Sequence, residues 1–313
     1  MTSSVAFLFP GQGSQHVGMG KTFFDRYSSV RRLFEEASAL VGMNLEKLCF
    51  EGPEADLART DNVQPAITLV NLACLQALQD EGVSATAVAG HSLGEYSALC
   101  AAGVFGFADA IRLVRTRGAA MQAAAEQHPG GMTAVFGLDM KTMTAVCEDS
   151  RDAGSVEIAN YNSPSQIVLT GEKVALQKAA ELAKKRGAKL CIPLKVSGPW
   201  HSRFMAAAQG RMRTALEGLK LLPPAIPVLS NVSAGTHADD PDGIREALIA
   251  QMVSPVLWAD CMARLIQDGY TKFAEVGPGK VLAGLMRDIS RNVRVLGVQQ
   301  PEDLAAVRAL PDQ

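Results

Sequence analysis

The chain has 313 residues, 48% of them hydrophobic and 20% charged, with a formal net charge of −2. That length supports a large core in one big domain or two smaller ones, and the near-neutral charge excludes a general attraction to nucleic acid. No apolar run is long enough to span a bilayer, and the N-terminus has no basic stretch before its short apolar run, so it does not read as a signal peptide.

Val5–Phe9 is stopped by Pro10-Gly11-Gln12-Gly13-Ser14, which predicts a buried strand feeding a tight glycine-rich loop. Apolar positions at helical spacing follow over 63–80. Residues 85–90 predict a second buried strand, running through His91-Ser92-Leu93-Gly94 into a helix over 95–102; a longer helix covers about 107–125. Strand, helix, strand, helix is the pattern of a parallel sheet covered by helices, so the fold class expected is α/β with a mostly parallel sheet.

Beyond Pro129 the pattern changes. Residues 133–138 predict a strand, 141–149 a helix, 155–161 and 166–170 two strands joined at Asn162-Ser163-Pro164, 173–186 a helix stopped at Gly187, and 188–194 a last strand. The order β-α-β-β-α-β is that of a ferredoxin-like unit. An inserted ferredoxin-like small domain over 127–198 is therefore expected, within a large domain formed by 1–126 and 199–313. The large domain resumes with strands near 226–229, 272–276 and 293–297.

The six cysteines, at 49, 74, 100, 147, 191 and 261, are scattered, with no C-x-x-C pair and no histidine at ligand spacing. They read as reduced, mostly buried thiols of a cytoplasmic protein with no metal site.

Gly90-His91-Ser92-Leu93-Gly94 matches G-x-S-x-G. A sharp strand-to-helix turn pushes such a serine hydroxyl out above the sheet, and the helix start aims free N–H groups and its positive dipole end at a developing oxyanion. The five-residue pattern alone is weak; the buried strand before it and the helix after it give it meaning. A serine nucleophile needs a base. Of five histidines, His128 and His237 lie in polar, turn-like stretches and are expected to be solvated. His16 follows the first loop, where it lines a site or caps a helix. His91 adjoins Ser92, but the turn sends the two side chains apart, which suits a supporting role. His201, after Val196-Ser197-Gly198-Pro199-Trp200, sits at the return from the insertion, and serine before histidine is the chain order of this type of elbow. No acid stands out as a third member, which argues against an ordinary esterase; a backbone carbonyl can orient a histidine instead.

Taken together, the ordered blocks Phe9-Pro10-Gly11-Gln12-Gly13-Ser14-Gln15, Gln64-Pro65-Ala66, Gly90-His91-Ser92-Leu93-Gly94-Glu95-Tyr96, Arg117-Gly118, Tyr161-Asn162-Ser163-Pro164, the segment reaching His201, Gln251 before Pro255-Val256-Leu257-Trp258, and Glu275-Val276-Gly277-Pro278-Gly279-Lys280 resemble the malonyl-CoA:acyl carrier protein transacylase family over nearly the whole chain. The resemblance implies an α/β-hydrolase-like domain with a ferredoxin-like insertion. It implies Ser92 as nucleophile, His201 as base, the Gln251 carbonyl orienting His201, the Gln12 and Leu93 N–H groups as oxyanion hole, and Arg117 on the malonyl carboxylate. No cofactor is implied.

In the helix over 107–125, Ile111, Val114, Gly118, Met121 and Ala125 share a face; Arg112 falls nearly opposite, and Arg115 and Arg117 fall on its flanks. Spacing does not choose between the last two; the resemblance selects Arg117. A planar guanidinium grips a carboxylate through two parallel hydrogen bonds, and a neutral acyl group would leave it unpaired at about 3–5 kcal/mol in a dry site. Trp200 adjoins His201 where relatives carry small residues or phenylalanine. A bulky residue there goes with malonyl over methylmalonyl, against ordinary packing as the alternative. Gln64 and Asn162 are candidate pocket residues, or buried amides satisfying loop backbone. Lys184, Lys185, Arg186 and Lys189 read first as a solvated helix end, with a carrier-docking surface as the alternative.

The reading is thus an acyltransferase that passes malonyl from malonyl-CoA to an acyl carrier protein, first for fatty acid biosynthesis and alternatively for a polyketide pathway, acting without a membrane or nucleic acid, with a monomer as one reading of its oligomeric state. The rivals are an acyl-thioester hydrolase on the same scaffold and a non-catalytic carrier-binding subunit.

Overall fold

Strands covered on both faces must be apolar throughout, and Val5–Phe9 (β1) and Ala87–Gly90 (β2) are buried at every position. The computed structural model describes residues 4–309. Strands β3 to β9 are Gly131–Phe136, Val156–Ser163, Gln166–Gly171, Leu190–Pro193, Val228–Leu229, Lys272–Val276 and Arg294–Val298. They form two sheets. The first has the order β7-β2-β1-β8-β9, with every neighbouring pair parallel. The α/β class with a parallel sheet is as the sequence predicts.

Alternation along β1 divides the core around this sheet. Val5, Phe7 and Phe9 face the helices Thr60–Asp80 and Phe107–Gln127, while Ala6 and Leu8 face Trp258, Met262 and Leu285 on the other side. Each large apolar side chain so buried contributes roughly 1.5–3 kcal/mol. Four helices between Lys21 and Leu57, and Ala206–Glu217, Pro241–Gln251, Trp258–Gln267 and Val281–Ile289 further on, complete the covering layers; spacing singled out none of these in advance.

The second sheet is antiparallel, in the order β4-β5-β3-β6. Helices Met140–Glu148 and Lys173–Lys185 cover one face around Val135, Ile167 and Leu169. Met132, Ala134 and Val168 on the opposite face join the main core. Edge strand β6 leaves Leu190 50% and Ile192 41% exposed. The sheet is stitched to the main body by a parallel bridge between Asn160 and Val256, with Tyr161 N–H donating to Val256 O and Val256 N–H to Ala159 O, both at 2.9 Å. Asn162 and Ser163 continue β4 rather than forming the predicted turn. No helix among the described residues is long and apolar enough to cross a membrane.

Candidate active site

Strands β1 and β2 lie side by side and parallel, so the loops after their carboxyl ends, which carry Gln12 and Ser92, meet above one edge of the sheet. Crevices beyond the carboxyl ends of parallel strands are where open α/β sheets bind ligands. The turn at Ser92 is tight enough to exclude side chains around it. A Cβ on Gly90 would sit 1.9 Å from the Gly94 carbonyl carbon, and one on Gly94 would sit 2.0 Å from Phe9 O. Ser92 itself has φ 50°, in the left-handed region that L-residues avoid. Asn231 holds it there, accepting from Ser92 N–H at 2.6 Å and donating to Gly90 O at 2.8 Å.

Ser92 Oγ lies 2.7 Å from His201 Nε2, and His201 Nδ1 lies 2.9 Å from the Gln251 carbonyl. A carbonyl only accepts, so Nδ1 carries the proton and Nε2 faces the serine as an acceptor. His201 is also left-handed, with φ 56°. Burial, reinforced by the Arg117 charge and opposed by the Gln251 carbonyl, pushes its pKa down to about 3. The imidazole is therefore neutral and able to take a proton across the whole neutral range.

Arg117 is the second largest fully buried side chain, at 1% exposure. Its Nη1 donates to Gln64 Oε1 at 3.0 Å, and Nη2 to Gln251 Oε1 at 3.0 Å and to Ser92 Oγ at 3.1 Å. Nε has no partner. The Tyr96 ring lies 5.5 Å from the guanidinium carbon, and burial pushes the Tyr96 phenol up to about 12, so it supplies no negative charge. Burial lowers the arginine's own pKa, yet a guanidinium stays protonated. Among the described residues Arg117 forms no ion pair. Arg115 turns away to donate to Asp61 O at 2.6 Å, and Arg112 is exposed beside Asp109. The ambiguity left by helical spacing is thus resolved by direction: only Arg117 points at Ser92.

A cavity of about 160 Å³ joins these groups. It is smaller than the roughly 300–1,000 Å³ typical of sites for drug-sized ligands. Gln12, Leu93, Asn162 and Trp200 line it, with Met121, Met132 and Val168. The N–H groups of Gln12 and Leu93 have no acceptor in the described residues and remain available. Asn162 Oδ1 accepts from His91 Nε2 at 2.8 Å, which makes His91 the donor, and Asn162 Nδ2 donates to Gln166 Oε1 at 2.8 Å. His91 thus braces the wall rather than the nucleophile.

Two expectations need correction. Gln64 does not line the cavity: fully buried, it holds Arg117 from behind and donates to Met121 Sδ at 3.2 Å. His237 is not solvated but buried, with Nε2 2.6 Å from Glu95 Oε1. Sequence reasoning also passed over Glu95 and Asn231. The signal for Glu95 was there: the only charge in a helix, Gly94–Ala101, whose first six residues are all buried must find donors elsewhere. His16 and His128 are exposed, the latter packed on Phe204 at 5.4 Å. In the basic run Lys184, Lys185 and Lys189 are exposed and Arg186 pairs with Asp149.

Residues 6–310 match the family model described as acyl transferase domain. Malonyl CoA-acyl carrier protein transacylase of Bacillus subtilis (strain 168) is 41% identical over 99% of this chain and 98% of its own length. The crystal structure of acyl-carrier-protein-S-malonyltransferase from Bartonella henselae superposes with a TM-score of 0.94 at 40% identity, covering 98% of this chain and 99% of that one. A malonyl-transacylase solved in complex with its type II PKS acyl-carrier protein gives 0.94 at 37% identity over 97% of this chain and 99% of that one. With the serine, the imidazole and a buried guanidinium converging on one cavity of an acyl transferase domain, this chain belongs to the malonyl CoA-acyl carrier protein transacylase family of acyltransferases.

Proposed function

We propose that this acyltransferase moves a malonyl group from malonyl-CoA to the pantetheine thiol of an acyl carrier protein, through an ester on Ser92. The observation that carries the reading is Arg117: a buried cation, surrounded by neutral acceptors and 3.1 Å from the nucleophile, suits a substrate that brings its own carboxylate.

His201 Nε2 takes the Ser92 proton as Oγ attacks the thioester carbonyl. The oxyanion forms against the Gln12 and Leu93 N–H groups, beside the positive end of the helix Gly94–Ala101. The C–S bond breaks and the CoA sulfur receives the proton from His201. The carrier thiol then gives His201 its proton, attacks the Ser92 ester, and Oγ recovers the proton as it leaves. The Gln251 carbonyl holds the imidazole through both halves, in the place an acid takes in a Ser-His-Asp triad. Arg117 keeps the malonyl carboxylate still, and Trp200 and Asn162 bound the space around the acyl group.

The large domain, 1–126 with 199–313, is assigned an α/β-hydrolase-like fold, and 127–198 a ferredoxin-like insertion; the sheet order β4-β5-β3-β6 supports the second assignment. Residues 1–3 and 310–313 of these spans lie outside the described residues. The product serves fatty acid biosynthesis in this reading. The related transacylase bound to a type II PKS carrier gives the polyketide role its support.

Mass spectrometry after mixing with malonyl-CoA tests the route, together with an acyl-CoA panel of malonyl, methylmalonyl and acetyl. The expected result is a malonyl ester on Ser92 that exchanges with CoA. An unmodified protein, faster release of free malonate than exchange, or equal use of acetyl would overturn it.

A further inference from the structure

One buried charge next to the site has no part in the route above. Glu95 is fully buried, and three donors converge on it: His237 Nε2 on Oε1 at 2.6 Å, and Gln251 Nε2 at 2.6 Å and Asn231 N–H at 3.3 Å on Oε2. A group ringed by donors acts as an acceptor only. The NH₂ end of the Gln251 amide must therefore face Glu95, where it also donates to Ser92 O at 3.0 Å, and its Oε1 must face the other way, onto Arg117 Nη2. Turning that amide over would set oxygen against oxygen at Glu95 and N–H against N–H at the guanidinium.

We infer that Glu95 is a positioning residue for acyl-group selectivity, acting through the Gln251 side chain to aim Arg117. The placement has a logic. A carboxylate in direct contact with Arg117 would occupy the guanidinium and compete with substrate. Set one amide away, Glu95 offsets the cost of the buried cation without itself taking a guanidinium N–H. Gln251 thereby serves two masters with separate atoms: its carbonyl holds His201, and its side chain holds Arg117. His237, on the far side of Glu95, keeps the carboxylate from swinging off the amide.

The inference rests on the proposed malonyl transfer and is tested by steady-state transfer of malonyl and acetyl from CoA in the full chain, for wild type, Glu95→Gln, Gln251→Met and the double variant. Gln251→Met cuts the same link from the other side while leaving the backbone carbonyl under His201. Glu95→Gln is expected to lower kcat/KM for malonyl-CoA about tenfold or more, chiefly through KM, with acetyl transfer changed less than about threefold; Gln251→Met, which also loses the bond to Ser92 O, is expected to lower both substrates, malonyl the more. The double variant should be no worse than Gln251→Met alone. A role in folding alone would lower both substrates together and leave their ratio untouched. If Glu95→Gln does not fold, Glu95→Asp, which keeps the charge and shortens the reach to Gln251, decides by the same ratio. Equal use of acetyl and malonyl by wild type would overturn the function itself. A wild-type preference that survives in the variants, or additive losses in the double variant, would overturn only the role of Glu95.

Discussion

The two sheets contribute to one cavity in different currencies. The parallel sheet supplies the nucleophile and the oxyanion loop, Ser92 after β2 and Gln12 after β1; Arg117 comes from the helix Phe107–Gln127, packed on Thr60–Asp80, and His201 from the segment between β6 and Ala206–Glu217. The antiparallel sheet supplies Met132, Asn160, Asn162 and Val168, two apolar side chains and two amides, none of which titrates in the neutral range. Strands β1 and β2 are buried at every position, so the loops carrying Gln12 and Ser92 leave from a packed core. The antiparallel sheet has a half-exposed edge, and it meets the main body through the two-bond stitch to Val256 and the site through the Asn162–His91 bond. Chemistry sits on the rigid part, and the shape of the space sits on the part with an open side.

Four measurements test that division, from the largest effect to the smallest. Ser92→Ala should abolish the acyl-enzyme and lower kcat by roughly 10⁴-fold or more, read by intact mass and by CoA release. Arg117→Ala should cost malonyl-CoA about 10²–10³ in kcat/KM, with the malonyl-to-acetyl ratio collapsing, as removal of a buried carboxylate partner requires. The acid limb of kcat/KM comes next. An imidazole titrating at 6.5 would lose about 30-fold by pH 5, whereas His201, held neutral to about 3, should leave the profile flat from pH 8 to 5. The sign for stability follows: between 6.5 and about 3 the unfolded chain binds a proton at His201 that the folded chain refuses, so His201 makes the fold less stable as pH falls through that window. Asn162→Ala, on the antiparallel sheet, should raise KM by no more than about tenfold and leave kcat within about threefold, because it loses one bond to His91 and one to Gln166. If Asn162→Ala matched Ser92→Ala in kcat, the division between reacting and shaping sheets would fall.

What could be read from the sequence tracks the range of the interactions involved. Val5–Phe9 and Lys272–Val276 stand at their predicted bounds, because a buried parallel strand is a short apolar run stopped by turn residues. The β-α-β-β-α-β order over 131–193 was legible for the same reason, although β3 begins two residues earlier than expected and β6 is shorter. Ser92 was legible because its elbow is a local motif. The direction of Arg117 was not, since helical spacing gives an angle and not a target. His237 shows the limit most clearly. Its neighbours Gly235, Thr236, Ala238 and Asp239 advertise a polar turn, and the carboxylate that buries it comes from Glu95, 142 positions away. Long-range polar pairs leave no periodic trace.

Both members of the 2.7 Å contact, Ser92 and His201, are held in backbone shapes that their own side chains disfavour. Such a pair behaves like a sprung catch, kept set only by the packing around it. On warming, the catch should release while the sheets are still intact, so that activity fades at a lower temperature than far-ultraviolet circular dichroism would suggest. Malonyl-CoA, by bridging the catch to Arg117, should bring the two temperatures together.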